Sequence, residues 1–239
     1  YDQSGGTLLI PNGMTLTLRS TVRHGAILDG GGIAQTLNVV GADSLVAGFV
    51  IRNGQYSSGG GADLGCPCTL LDCWVTGNRA TIGAGIILHT NAIVEACIVE
   101  SNTASDAGGG IYMNGHQGQV LNCTIRGNVA SNGGGGLNSA KAGTVSNCWI
   151  SGNRAMNGGG GMLSSNCMLI NSVVVGNEAS HGGGISSAGA DAAKAAVVNC
   201  TVVGNTATNQ GGGTYAIQAQ VINTIVYFNA APIDSDLFS

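Results

Sequence analysis

The sequence predicts an all-β chain wound as a single parallel β-helix, a solenoid of about eight to nine coils of ~25 residues. Three observations predict it. A motif of the form Asn122-Cys123-Thr124-Ile125-Arg126-Gly127-Asn128 recurs along the chain. The last Asn of successive copies stands at positions 53, 78, 102, 128, 153, 177, 205 and 229, with spacings of 25, 24, 26, 25, 24, 28 and 24 residues. Glycine supplies 42 of 239 residues, 8% are charged and 44% are hydrophobic, which suits a β-rich solid with many tight corners rather than a disordered chain. Aliphatic residues also hold two fixed places in each copy, with no ten-residue helical pattern between them, which disfavours a leucine-rich or β/α repeat.

One elongated domain is expected over residues 1–239, because no composition break interrupts the repeat. Residues 1–44 read as atypical first coils, with short strands at Thr7 to Ile10 and Met14 to Leu18 around the Pro11-Asn12-Gly13 turn, then at Ile27 to Asp29 and Leu37 to Val40. Regular coils fill 45–229, and 230–239 form a tail too short for a capping domain.

Within the regular coils, Cys73, Cys97, Cys123, Cys148 and Cys200 fall at one equivalent place. Three residues earlier the chain is aliphatic (from Leu45 and Leu70 through Val221), and so it is two residues later (from Val50 and Val75 through Val226). These places differ by an odd number of residues, so strict alternation fails and a corner must lie between them. The residue before the Cys place is Asn122, Asn147, Asn171, Asn199 or Asn223, a type that tolerates the left-handed backbone of such a corner and can bond its counterparts above and below. Each coil therefore reads as three short strands: one after the glycine run (Gly110 to Met113), one ending near Asn122, and one over Cys123 to Arg126, closed by Gly127-Asn128. Val, Ile, Leu, Cys and Asn ladders are expected to line the core.

Leu28-Asp29-Gly30-Gly31-Gly32, followed by repeated Asn-Cys-Thr-Ile-x-Gly-Asn units running into Gly-Gly-Gly, resembles the pectin-lyase-like superfamily of right-handed parallel β-helices. The likeness is closest to repeat-rich bacterial surface proteins such as polymorphic outer membrane protein repeats, and covers roughly residues 5 to 230. It implies a right-handed coil. It does not imply one activity, since lyases, hydrolases, adhesins and passenger domains share this fold.

A net charge of −4 without a basic cluster gives no support to a nucleic-acid partner. No apolar run approaches the ~20 residues of a membrane helix, so no membrane insertion is expected. Nor does an export signal precede the first strand; if the chain is exported, that signal is already gone. Stacked equivalents lie ~4.8 Å apart, too far for the ~3.8 Å between the Cβ atoms of a disulfide, so the Cys row is expected to be buried free thiols acting as small hydrophobes. Cys66, Cys68 and Cys167 lie outside that row.

The superfamily's hydrolases and lyases would imply clustered carboxylates, and hydrolysis needs two of them ~5 to 9.5 Å apart. Asp72 and Glu95 come nearest to equivalence but fall on a corner and a strand, and no catalytic residue is assigned. Calcium-binding glycine repeats need a nine-residue period that is not present; neither cofactor nor metal is expected. His89 and His116, with Tyr112 nearby, mark the one place for a weak ligand site. The sequons at Asn122 and Asn199 are discounted, since a corner ladder leaves no room for a glycan.

If Cys and the residue two later point inward, the residues one and three later point out. The first outward row reads Trp74, Ile98, Thr124, Trp149, Val173, Thr201, Ile225, and the second Thr76, Glu100, Arg126, Ser151, Val175, Val203, Tyr227. Trp74, Trp149, Val173, Val175, Val203, Ile225 and Tyr227 are therefore the interface candidates, and toward the C-terminal end they make one apolar face. The function expected is a non-catalytic structural or adhesive protein, extracellular or on a cell surface. It would self-associate through that face or through the solenoid ends. The alternative is a polysaccharide-active enzyme or carbohydrate-binding module.

Overall fold

A computed structural model describes residues 6–187, 195–215 and 220–238. Every coil is built from short strands that pair in parallel with the coils before and after, giving sheets of ten, nine, nine and seven strands. The first sheet begins with Leu8–Ile10, Leu37–Val39 and Ala62–Leu64; the second with Thr17–Arg19 and Leu45–Ala47; the third with Ala26–Asp29 and Phe49–Arg52. The fourth runs from Gln55–Ser58 through Arg79–Ile82 and Thr103–Ala107 to Thr206–Gln210. The expected coil of three strands is therefore corrected to four. The fourth strand is short, as at Val129–Ala130 and Arg154–Ala155, and it faces inward with alanine: Ala80, Ala104, Ala130, Ala155, Ala179 and Ala207. Small residues are required because this strand runs close to the glycine corner. A Cβ on Gly109 would stand 2.4 Å from the carbonyl oxygen of Val129.

The core is a set of stacked rows. Ile51, Val75, Val99, Ile125, Ile150, Val174 and Val202 line the third sheet, all buried, against Val46, Leu70, Val94, Val120, Val145, Leu169 and Val197 of the second. Truncating one of these to Ala would cost about 2 to 5 kcal/mol. On the second and third sheets the register is uniform from residue 69 onward but corrects the first repeat by one place. Val75 pairs with Ile51, not Val50, and Leu70 with Val46, not Leu45. Phe49 thus takes the place of Cys73, and Asn53 takes the left-handed corner that Gly77 occupies one coil on (φ +54° and +66°).

All eight cysteines are free and buried, and the row of five is continuous with Ser172 and Thr224. The Cys123 Sγ donates to the carbonyls of Leu121 at 3.1 Å and Val94 at 3.6 Å. The Ser172 hydroxyl makes the same bond to Ile170 at 2.7 Å, and the Thr224 hydroxyl bonds Ile222 at 2.9 Å. The row therefore selects a small group carrying one donor.

Two asparagine rows exist, and the buried one is not the one expected. Asn122, Asn147, Asn171, Asn199 and Asn223 hold the predicted left-handed corner, with φ from +48° to +56°, but their side chains are exposed. They bond one another only in part, at 3.3 Å (147 to 122), 3.2 Å (199 to 171) and 2.7 Å (223 to 199). Since these amides project into solvent, lack of room is no reason to discount the sequons at 122 and 199. The interior ladder is instead Asn78, Asn102, Asn128, Asn153, Asn177, Asn205 and Asn229. In it, Nδ2 of Asn102 donates to Oδ1 of Asn128 at 3.0 Å and to the Val75 carbonyl at 3.1 Å, while its backbone N–H meets the same Oδ1 at 3.1 Å. Repetition of this pattern satisfies every amide. A buried amide left unpaired would cost about 1 to 3 kcal/mol.

Candidate functional site: an uncharged face on the solenoid wall

The third sheet places the outward residues in register. Trp149, Val173, Thr201 and Ile225 form one row, and Ser151, Val175, Val203 and Tyr227 the next. Trp149 is half exposed, Val173, Val175 and Val203 are half-buried by their neighbours, and Ile225 and Tyr227 are more than half exposed; the Tyr227 ring packs against that of Phe228 with centroids 4.1 Å apart and planes tilted by 45°. Phe228 holds the left-handed corner that glycine holds in other coils, at φ +55°, and this projects its ring into solvent. Inspection of the outward rows alone misses it; the signal was the loss of glycine before the last Asn.

The face does not stop at the corner. On the second sheet the outward Ile170, Val198 and Ile222 pair in one row beside it. From Gly143 onward the strands of these two sheets contain no Asp, Glu, Lys or Arg. The earlier strands of the same sheets carry Arg19, Asp29, Arg52, Glu95, Glu100 and Arg126. Among the described residues, the strands on this side of the rod thus carry charge over the first coils and none over the last.

Trp74 belongs to the polar half. Its Nε1 donates to Glu100 Oε1 at 2.9 Å, and Arg126 Nε lies 2.5 Å from the other oxygen. That network separates Trp74 from the apolar rows that begin at Trp149.

The weak ligand candidates lie on adjacent coils, on the first sheet and at the corner that follows it. His89 Nε2 lies 3.2 Å from Asp63 Oδ1, a hydrogen bond that raises the imidazole pKa against the opposing effect of burial. Tyr112 sits mid-strand on the first sheet, between Ile87 and Asn138; burial, and then the nearby Asp106, raise its pKa. His116 is exposed on the next corner, its carbonyl accepting from the Asn91 N–H at 3.1 Å. Among the described residues no group of three or more His, Cys, Asp or Glu is placed to hold a metal ion.

Several carboxylates bond to side chains one or two coils away. Asp29 meets Arg52 at 2.8 Å, Asp72 meets Arg23 at 2.8 Å, Asp106 accepts from Asn132 at 3.1 Å, and Glu178 faces Arg154 at 3.4 Å. Asp72 and Glu95 share a corner through a backbone bond, the Asp72 N–H to the Glu95 carbonyl at 2.9 Å.

A family model described as a right handed beta helix region matches residues 63–230, and the chain belongs to that family. No curated protein and no solved structure gives a significant match. Membership fixes the hand of the coil and leaves the activity to be argued from the surface.

Proposed function

We propose that this chain is a non-catalytic structural rod, extracellular or on a cell surface, that self-associates side by side through the charge-free face. The observation that carries this reading is the segregation of charge along one wall. Two adjoining sheets lose every charged residue at the same level, and Trp149, Val173, Val175, Val203, Ile225 and Tyr227 fill the gap. Soluble monomers rarely leave apolar patches beyond a few hundred Å² bare. Engagement of Asp29, Asp72, Glu100, Asp106 and Glu178 in bonds between coils supports a structural role over glycoside hydrolysis, which needs two acids facing one substrate. Buried, unpaired thiols are shielded from oxidants, so the cysteine content does not oppose a surface location.

End-to-end stacking is the weaker route, because residues 230–238 bridge the edges of the fourth and first sheets. Ala230 pairs with Thr206, Ile233 with Gln210 and Leu237 with Thr214.

Sedimentation velocity tests the reading. The 23.6 kDa chain is expected to form concentration-dependent dimers or larger species. The Val203→Glu, Ile225→Glu double variant should sediment as a monomer with unchanged circular dichroism. A wild-type chain that stays monomeric over the whole concentration range contradicts it.

A further inference from the structure

The inward row of the first sheet changes character midway. Leu64, Leu88 and Met113 are followed in register by Ser139, Ser164 and Ser187. Across the core the second sheet offers Gly118 and Gly143, and these accommodate Met113, whose Cε lies 3.3 Å and 2.4 Å from where their Cβ atoms would be. No side chain as long as methionine follows in the serine row, so the space passes to smaller groups.

The three serines answer burial differently. Ser139 donates to the Lys141 carbonyl at 2.7 Å. Ser164 accepts the Cys167 N–H at 3.1 Å, which leaves its own O–H able to donate. Ser187, 6% exposed, has an Oγ with no hydrogen-bond partner among the described residues. It lines a cavity with Ser164, Cys167, Ile185, Ala195 and Val197, with about 10 Å³ of room for the centre of a water-sized sphere. One internal water needs about 10 to 15 Å³ by that measure and two or more polar partners. Neither the Cys167 thiol, whose pKa burial pushes up to about 12, nor the aliphatic walls can stand in for it as a strong acceptor.

We propose that this interior cavity is the binding site of a single ordered water molecule, held between the hydroxyls of Ser164 and Ser187. The water accepts from one hydroxyl and donates to the other, and so supplies the partner that Ser187 otherwise lacks. This makes the later coils hydrated at their core, where the earlier ones are dry and filled by Leu88 and Met113.

A crystal structure at a resolution that shows internal waters, together with the melting temperature of Ser187→Ala, tests the site. We expect density for one water between the two hydroxyls, and a fall in Tm of about 2 to 4 °C on removing the Ser187 hydroxyl. An unhydrated hydroxyl would behave oppositely, because deleting an unpaired buried polar group raises Tm. A rise in Tm, no density between the hydroxyls, or uptake of xenon into the wild-type cavity as into a dry apolar one would each overturn the proposal.

Discussion

Oδ1 of Asp236 lies 3.0 Å from Nδ2 of Asn229 and 3.1 Å from its backbone nitrogen, the same pair of bonds that each interior asparagine gives to the one before it. Asp236 is only seven residues away in sequence, so the tail folds back to set a carboxylate where a next rung would stand. At the other end Gly54 donates its N–H to Asn78 Oδ1 at 2.8 Å and brings no side chain. The ladder thus opens on a group that only donates and closes on one that only accepts, and no buried amide at either end is left unpaired.

Removing that last acceptor should loosen the final coil. Asp236→Ala is expected to cost about 1 to 2 kcal/mol, and Asp236→Asn, which keeps Oδ1, less than half of that. Urea denaturation of the two variants checks it; equal losses would show that the contact does not hold the tail.

An interior rung is worth more, because its loss removes an acceptor from the rung before it and a donor from the carbonyl and the rung after it. Asn128→Leu leaves the Asn102 Nδ2 and N–H without the acceptor they share, and strands the Val99 carbonyl that Asn128 now caps. A loss of about 3 kcal/mol or more is expected. Asn147→Gly, on the exposed row, keeps the left-handed corner and should change stability by no more than about 0.5 kcal/mol.

The thiol row predicts tolerance of one substitution and silence toward one reagent. Cys123→Ser and Cys148→Ser should each cost less than about 1.5 kcal/mol, since Ser172 and Thr224 already make the same bonds in that row. All eight thiols are buried out of reach of solvent, so a thiol-reactive disulfide reagent should label no cysteine in the native rod and all eight after unfolding.

The pair of Asp63 and His89 predicts a pH dependence. Asp63 raises the His89 pKa in the folded chain, so the stabilisation is full below the ordinary histidine value near ~6.5 and is lost as pH rises through the raised value. Both side chains are partly exposed, which limits the gain to below about 1 kcal/mol. Urea midpoints from about pH 5 to pH 9 should fall across that window in the wild type but not in His89→Gln.

Much of the architecture was legible because it repeats. The outward rows from Trp74 to Tyr227 could be written from the Cys position alone, since period-2 alternation holds within each three-residue strand. The role of the asparagines was not legible, because both corners of a coil place Asn beside a turn, and a sequence does not say which amide points inward. Gly127 before Asn128 takes up the left-handed turn itself and frees the Asn to face the core, whereas Asn122 takes up its own turn and so faces out. The fourth strand was hidden for a different reason: Arg154-Ala155 offers one alanine to the core, too little apolar pattern to read as a strand. The uncharged wall could be read as rows, but its continuation onto Ile170, Val198 and Ile222 depended on how the corner folds.

Side chains of successive coils satisfy one another's hydrogen bonds in the interior of the rod. Side-chain amide hydrogen exchange by NMR tests this most directly. The Nδ2 protons of Asn102, Asn128 and Asn153 should exchange only on global unfolding, while those of Asn122 and Asn147 exchange orders of magnitude faster. Equal, rapid exchange of both sets would contradict the stacked ladder and the rod built on it.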